Sequence, residues 1–186
     1  MASSLTGGLS IRVAIARPDL VRSLFLVCPS GYADFGADYR RGLAAQVAGI
    51  PLVDRALYSV GAANEFAVRT FLQQVLFADP SRISEEMVAA YLTSALQPNA
   101  EYAALSSLKG ALFFDLALYL RQLTTPAVFV WGSQSRFNSP TMGRRLAALN
   151  PEQIKEFYEL PEVGVLPQLE MPAAVIGLLQ EWLKSQ

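Results

Sequence analysis

This chain of 186 residues contains no histidine. No side chain in it can act as the imidazole that accepts and returns a proton near neutral pH. It has one cysteine, Cys28, which excludes an internal disulfide and fits a reducing compartment, the cytoplasm. At the end of an expected strand, Cys28 reads as a small buried residue. No apolar run reaches about 18 residues, so no membrane span is expected. Charge is sparse, 17% of residues, and nearly balanced at −1. The arginine pairs at 40–41 and 144–145 are isolated and read as solvated helix faces, so no nucleic-acid partner is expected. No cofactor and no metal ligand set is expected either. Apolar residues make up 52% of the chain, which places it among globular proteins with a real core.

What is present is concentrated in residues 1–31. Ala2-Ser3-Ser4-Leu5-Thr6 reads small-x-Ser-x-small, and Gly7 and Gly8 follow at once. A serine between small residues at the mouth of a helix is the pattern of a nucleophile elbow, whose turn is too sharp for bulky flanks two positions away. Ser4 is then the candidate nucleophile. The backbone N–H of Leu5 is the candidate oxyanion donor, helped by the positive end of the helix. The plainer reading is that Ser3-Ser4 is a polar helix N-cap. Gly7, Gly8, Ala14 and Ala16 make a small-residue face, and Pro18 and Val21 lead into the apolar strand Leu24-Phe25-Leu26-Val27 and then Pro29-Ser30-Gly31. In this order the elbow, glycine pair, alanine-rich helix, proline, valine, strand and Pro-Ser-Gly resemble the central segment of the α/β-hydrolase superfamily. The opening Met-Ala-Ser-Ser, with arginines and one acid before residue 30, has a superficial likeness to an organelle transit peptide. The superfamily resemblance accounts for the same residues and also for Gly7, Gly8 and the strand.

Along the chain, a helix is expected over 5–16, ending before Pro18. Residues 23–29 form an apolar strand without alternation, as a parallel strand covered on both faces does. Residues 32–125 are helical and strand-poor. Helices are expected over 38–47, over 64–77, from a cap at Ser84, and over 101–123 with a break at Gly110. In the second of these, Asn64 is the N-cap and Phe66, Val68, Phe71, Leu72 and Val75 form the apolar side. Strands follow at 126–131 and 154–160. Between them Ser139 caps a helix with Pro140 in its first position, running to about residue 149. A loop over 161–172 leads into an amphipathic helix over 172–184, with Val175, Ile176, Leu179, Trp182 and Leu183 facing inward.

Two segments depart from the superfamily pattern where its chemistry resides. Residues 126–140 resemble the acid-bearing segment: strand, Trp-Gly, two residues, aspartate, turn, helix. Ser135 stands at the aspartate position and supplies no negative charge. Residues 160–172 resemble the histidine loop, with Gly164, Glu170, Met171 and Pro172 in place. Val165 stands at the histidine position and can neither accept nor orient a proton. Asp34, just past the earlier strand, is a position where some members carry the acid instead. Glu162 and Glu170 lie near the right loop, but a carboxylate is too weak a base to activate serine at neutral pH without exceptional tuning.

The resemblance implies a partial α/β-hydrolase fold. Its core is 1–31 and 126–186, about three parallel strands from the C-terminal part of the sheet. Residues 32–125 form an inserted helical cap whose Phe113, Phe114, Leu116 and Tyr119 line a pocket or pack as plain core. The superfamily hydrolyses esters, amides and similar bonds without a cofactor. With Ser4 kept and the acid and histidine replaced, the expectation is a degenerate, catalytically silent member. A non-catalytic module binding an apolar small molecule under the cap, or another protein, is the alternative. The strand leading into the elbow and everything upstream of it are expected to be absent, as in a truncated reading frame, a fragment or one piece of a split protein. The missing N-terminal half is then itself a candidate partner, and the strand over 23–29 presents an apolar edge that favours aggregation.

Overall fold

The computed structural model describes residues 1–36, 58, 63–108 and 110–185. The helix expected over 38–47, and with it Arg40 and Arg41, lies outside the described residues. The centre of the fold is a four-stranded parallel sheet in the order β1-β2-β3-β4: β1 Ala2–Ser3, β2 Leu24–Val27, β3 Ala127–Gly132 and β4 Ile154–Leu160. Parallel neighbours need crossover segments rather than tight turns. Helix α1, Ser4–Ala16, makes the first crossover.

The expectation of three strands, with the lead-in to the elbow missing, is corrected by β1. Two residues suffice, because Ala2 and Ser3 pair in register with Leu26 and Val27. β2 and β3 are buried along their whole length, which is why both read as apolar runs without alternation. β4 carries exposed Lys155, Glu156 and Glu159, charges that blunt the outer edge of the sheet.

Helix α1 meets β2 and the turn after it closely. A Cβ on Gly8 would stand 2.7 Å from the Ser30 carbonyl oxygen, so the glycine permits that approach. Ile11 and Ala14 of α1, the residues of β2 and β3, Leu146, Val175 and Trp182 form one core.

A helical segment stands between β2 and β3. It contains α2 (Glu65–Phe71), α3 (Glu85–Ala95), α4 (Ala100–Leu108) and the short α5 (Ala117–Leu120). Asn64 and Ser84 cap as expected, accepting from the N–H groups of Ala67 and Met87. After α2 the chain widens into a π-helical turn, Leu72–Leu76. Val68, Leu72, Phe77 and Val88 gather into a second core, joined by Leu166 from the loop after β4. Phe66 and Phe71, expected on the apolar side, are 81% and 48% exposed, because Val68 and Leu72 set the buried stripe four residues apart.

The helix expected over 101–123 breaks at Gly110, whose φ is +70°, and does not resume before α5. Phe114 sits in that gap, bridged to Tyr32 in extended geometry. The last elements are α6 (Pro140–Ala147), α7 (Pro167–Glu170) within the expected loop, and α8 (Pro172–Lys184). On α8, Val175 and Trp182 are buried, while Ile176 and Leu183, expected inward, are 53% and 60% exposed. No helix among the described residues is long and apolar enough to cross a membrane.

Candidate active site

Ser4 lies where β1 turns into α1. Ser3 is extended, at φ −132° and ψ 155°, and Ser4 swings to φ +51°. That left-handed conformation is costly for a residue with a side chain, about 1–3 kcal/mol, and persists when its surroundings enforce it. The Ser4 carbonyl accepts the Ser30 N–H at 3.2 Å, tying the start of the helix to the end of β2. Ser3 makes no side-chain cap hydrogen bond, which is the contact a plain N-cap would show. A sharp, strained strand-to-helix turn with a serine at its corner is the geometry of an elbow.

The Ser4 Oγ is hydrogen-bonded to the Tyr32 hydroxyl. Burial raises the pKa of that phenol; the hydrogen bond with Ser4 offsets part of the rise. It is therefore a neutral hydroxyl at neutral pH. Nothing in the sequence spacing singles out Tyr32. It reaches Ser4 because the chain after β2 folds back in a tight, strained turn: Cys28, Tyr32 and Phe35 all have positive φ, at 45°, 63° and 57°.

Asp34 holds that turn. Its carboxylate accepts the Ser30 hydroxyl at 2.6 Å, the Gly31 N–H at 3.1 Å and the Leu116 N–H at 2.8 Å. Ser30 Oγ in turn accepts the Tyr32 N–H at 3.0 Å. Burial pushes the Asp34 pKa up, and these hydrogen bonds pull part of it back. The alternative acid position is thus engaged by backbone and hydroxyl donors of its own loop and by the distant Leu116 N–H.

Ser135, at the expected acid position, is buried and donates to Asn138 Oδ1 at 2.8 Å. The Asn138 amide donates to the Cys28 carbonyl at 3.0 Å, and the Trp131 indole N–H donates to the Asn138 carbonyl at 2.9 Å. This chain of neutral groups stands at the expected acid position. Asn138 was not legible as part of the site. Val165, at the expected histidine position, is buried and its N–H bonds to the Leu76 carbonyl at 2.9 Å.

Glu170 is buried below it. Its Oε1 accepts the Gly164 N–H at 2.6 Å, and its Oε2 accepts the Ala78 N–H at 3.0 Å, with Arg82 at 3.5 Å. It ties the loop after β4 to the helical segment. Glu162 is exposed; its N–H bonds to Ser133 Oγ at 3.1 Å and its carbonyl takes the Arg82 guanidinium at 2.8 Å.

Since the strands are parallel, Ser4, the turn at 28–34, Ser135 and Val165 all lie past the carboxyl ends of β1, β2, β3 and β4, along one rim of the sheet. A Cβ on Gly132 would stand 2.0 Å from the Gly164 carbonyl oxygen, so the segments after β3 and β4 touch there. Phe137 reaches from the acid segment to pack edge-on against Tyr32, 5.0 Å between ring centres. Among the described hydrogen bonds none joins Ser4 to Ser135 or Val165. Of the expected pocket lining, Phe113 packs against Tyr32 at 5.2 Å. Leu116 is core, and Phe114 and Tyr119 meet each other under the Arg12 guanidinium of α1. No group of three or more His, Cys, Asp or Glu among the described residues is placed to hold a metal ion.

The chain is 26% identical over 182 residues to an uncharacterized hydrolase, YugF, of Bacillus subtilis, covering 97% of this chain and 63% of that protein. It thus spans less than two thirds of the length of that relative. Among solved structures, a thermophilic esterase from Thermogutta terrifontis superposes with a TM-score of 0.72 at 20% identity, covering 100% of this chain and 65% of the esterase. A 2-hydroxy-6-oxo-6-phenylhexa-2,4-dienoate hydrolase from Rhodococcus sp. strain RHA1 gives 0.67 at 16% identity, covering 98% and 62%. At such identities these likenesses speak for the fold. The model of the alpha/beta hydrolase family matches residues 1–178, and with the parallel sheet and the turn at Ser4 it follows that this chain belongs to the alpha/beta hydrolase family.

Proposed function

We propose that this chain is a catalytically silent member of its family, with Ser4 a vestigial nucleophile and the Leu5 N–H its oxyanion donor. Residues 1–31 and 126–186 form the core in this reading, and 32–125 are its cap. One observation carries the proposal: the position that should present an imidazole is Val165, buried with its N–H on Leu76, in a chain with no histidine at all. A serine hydroxyl attacks a carbonyl only as its proton leaves, and no group here is suited to take it. Ser135 adds no charge, and Asp34 and Glu170 are occupied by loop donors. Both positions lie inside the chain.

A second reading, binding without chemistry, is favoured by the aromatic group at Ser4. Tyr32, Phe113 and Phe137 pack ring edge to ring face beside the serine, a surface suited to a small apolar ligand. The test is hydrolysis of p-nitrophenyl acetate together with labelling by a fluorophosphonate, on the full chain and on Ser4→Ala. The expected result is equal, background-level turnover and no stoichiometric label. Turnover lost on Ser4→Ala, with a label on Ser4, overturns catalytic silence.

A further inference from the structure

Away from the Ser4 rim, β4 and α8 enclose a second concave surface. Glu156 and Tyr158 stand two apart on β4 and so share a face. Glu181 and Trp182 stand four and three residues before Ser185 at the end of α8, so the three are helical neighbours. With Pro126 and Lys155 they line a groove of about 540 Å³, a size typical of small-molecule sites. Pro126 precedes β3, and Lys155 and Glu156 lie in the first half of β4, so the groove lies toward the amino ends of these strands. The carboxylates of Glu156 and Glu181 are exposed and have no ion pair or hydrogen bond among the described residues. Their charges bear on the same phenol: burial pushes the Tyr158 pKa up, and both carboxylates push it further. Lys155, the cation of the lining, is turned to the Glu152 carbonyl at 2.5 Å. Trp182 is only 8% exposed, and its indole N–H is buried with no acceptor among the described residues. The Trp131 indole, by contrast, donates to the Asn138 carbonyl. Buried donors are nearly always satisfied, so an orphan in the wall of a groove calls for an acceptor from what fills it.

We infer that the groove between β4 and α8 binds a small organic ammonium ion that also carries an acceptor oxygen. Glu156 and Glu181 hold the cation beside the Tyr158 ring, and the oxygen takes the Trp182 indole N–H. Carboxylates attract any cation, but an aromatic wall favours a weakly hydrated ammonium, whose apolar surface it also covers. A neutral molecule of the same shape leaves both carboxylates without a counter-charge. Ser4 and its turn contribute nothing to this groove, so the inference stands apart from the elbow reading.

The test titrates the full 15N-labelled chain with choline at constant ionic strength and follows its two indole N–H resonances, Trp131 and Trp182, told apart by their nuclear Overhauser contacts. The controls are 3,3-dimethylbutan-1-ol, the neutral isostere of choline, and tetramethylammonium, the cation without an oxygen. The expected result is a saturable shift of the Trp182 indole with choline and a constant Trp131 indole. The neutral isostere should bind about tenfold more weakly, and tetramethylammonium should bind without drawing the Trp182 proton downfield. Glu156→Gln combined with Glu181→Gln, both at exposed positions, should weaken choline about tenfold while the backbone amide spectrum keeps its folded dispersion. A Trp182 indole that shows no saturable shift overturns the inference. So does equal affinity for choline and its neutral isostere, or choline binding unchanged in the double variant.

Discussion

The rim of the sheet has two sides, and each holds a buried carboxylate. On the β1–β2 side, Asp34 takes the hydroxyl of Ser30 and the amide of Gly31, four and three residues away, and the more distant Leu116 N–H. On the β3–β4 side, Glu170 spans 92 residues to the Ala78 N–H, takes Gly164 N–H as well, and has the Arg82 cation at 3.5 Å. The first carboxylate chiefly shapes a turn, with one bond to a distant segment; the second chiefly fastens two parts of the molecule together. Strain follows the same division. Ser4, Cys28, Tyr32 and Phe35 hold positive φ on the first side, and Glu162 does on the second. The side that keeps the serine is polar and strained, whereas on the other side the groups around Ser135, Asn138 and Val165 are neutral and the buried charge, Glu170, is turned to the Gly164 and Ala78 amides. A buried carboxylate near a serine is thus no sign of acid–base chemistry when backbone donors fill its lone pairs.

The largest effect is expected at Glu170. Its side chain is fully buried, and Glu170→Ala would leave the Gly164 and Ala78 amides unpaired and take one of its two carboxylates from Arg82, which keeps Asp79 and the Glu162 carbonyl. The expected loss is about 3–5 kcal/mol of unfolding free energy, read from urea denaturation. A smaller loss than that of Asp34→Ala would invert the comparison, making the turn the stronger fastening.

Asp34→Ala is expected to cost about 2–3 kcal/mol, because it strands the Ser30 and Gly31 donors of one turn and the Leu116 N–H beyond it. The Asp34 pKa is raised in the folded state, chiefly by burial, so the folded protein holds that proton more tightly than the unfolded chain. Its contribution to stability is then fully present below the unfolded value of about 4 and is lost as pH rises through the folded value. Against Asp34→Asn, which does not titrate, the parent should gain stability as pH falls from neutrality toward about 4. Urea midpoints of both proteins at the two ends of that range check the sign. A parent that loses ground on acidification would mean that the loop donors outweigh burial.

The division between the two sides was only partly legible in the sequence. Residues 1–31 could be read as an elbow because its constraints are local: small flanks, a glycine pair, an unalternating strand. Ser135 and Val165 could be read as replacements because Trp131-Gly132 and Gly164, Glu170 and Pro172 frame their positions. Tyr32 was not visible, since its approach to Ser4 depends on left-handed backbone at non-glycine residues, which local propensity argues against. Asn138 was hidden for another reason: its partner, the Cys28 carbonyl, is 110 residues away, and an asparagine between Phe137 and Ser139 reads as turn chemistry. Phe66 and Leu183 show the limit of periodicity, which marks a helix face but not which of its apolar residues find a neighbour.

The smallest effect is expected where the two sides meet, at Cys28. Its N–H bonds to the Val130 carbonyl at 2.8 Å, its carbonyl takes the Asn138 amide, and the chain then enters the turn held by Asp34. Burial pushes the thiol pKa up to about 12. At pH 8 about one molecule in ten thousand would carry the thiolate, and that sulfur has no access to solvent. Labelling by a disulfide reagent must therefore wait for the strand end to open, and its rate reports the free energy of that opening. Ser135→Ala removes one hydrogen bond to Asn138 but leaves the Asn138 amide on Cys28. A net loss of about 1 kcal/mol allows at most about a fivefold faster reaction. Asp34→Ala releases the turn itself and should accelerate labelling well beyond that. If Ser135→Ala proves the faster of the two, the neutral network, and not the strained turn, is what keeps the rim closed.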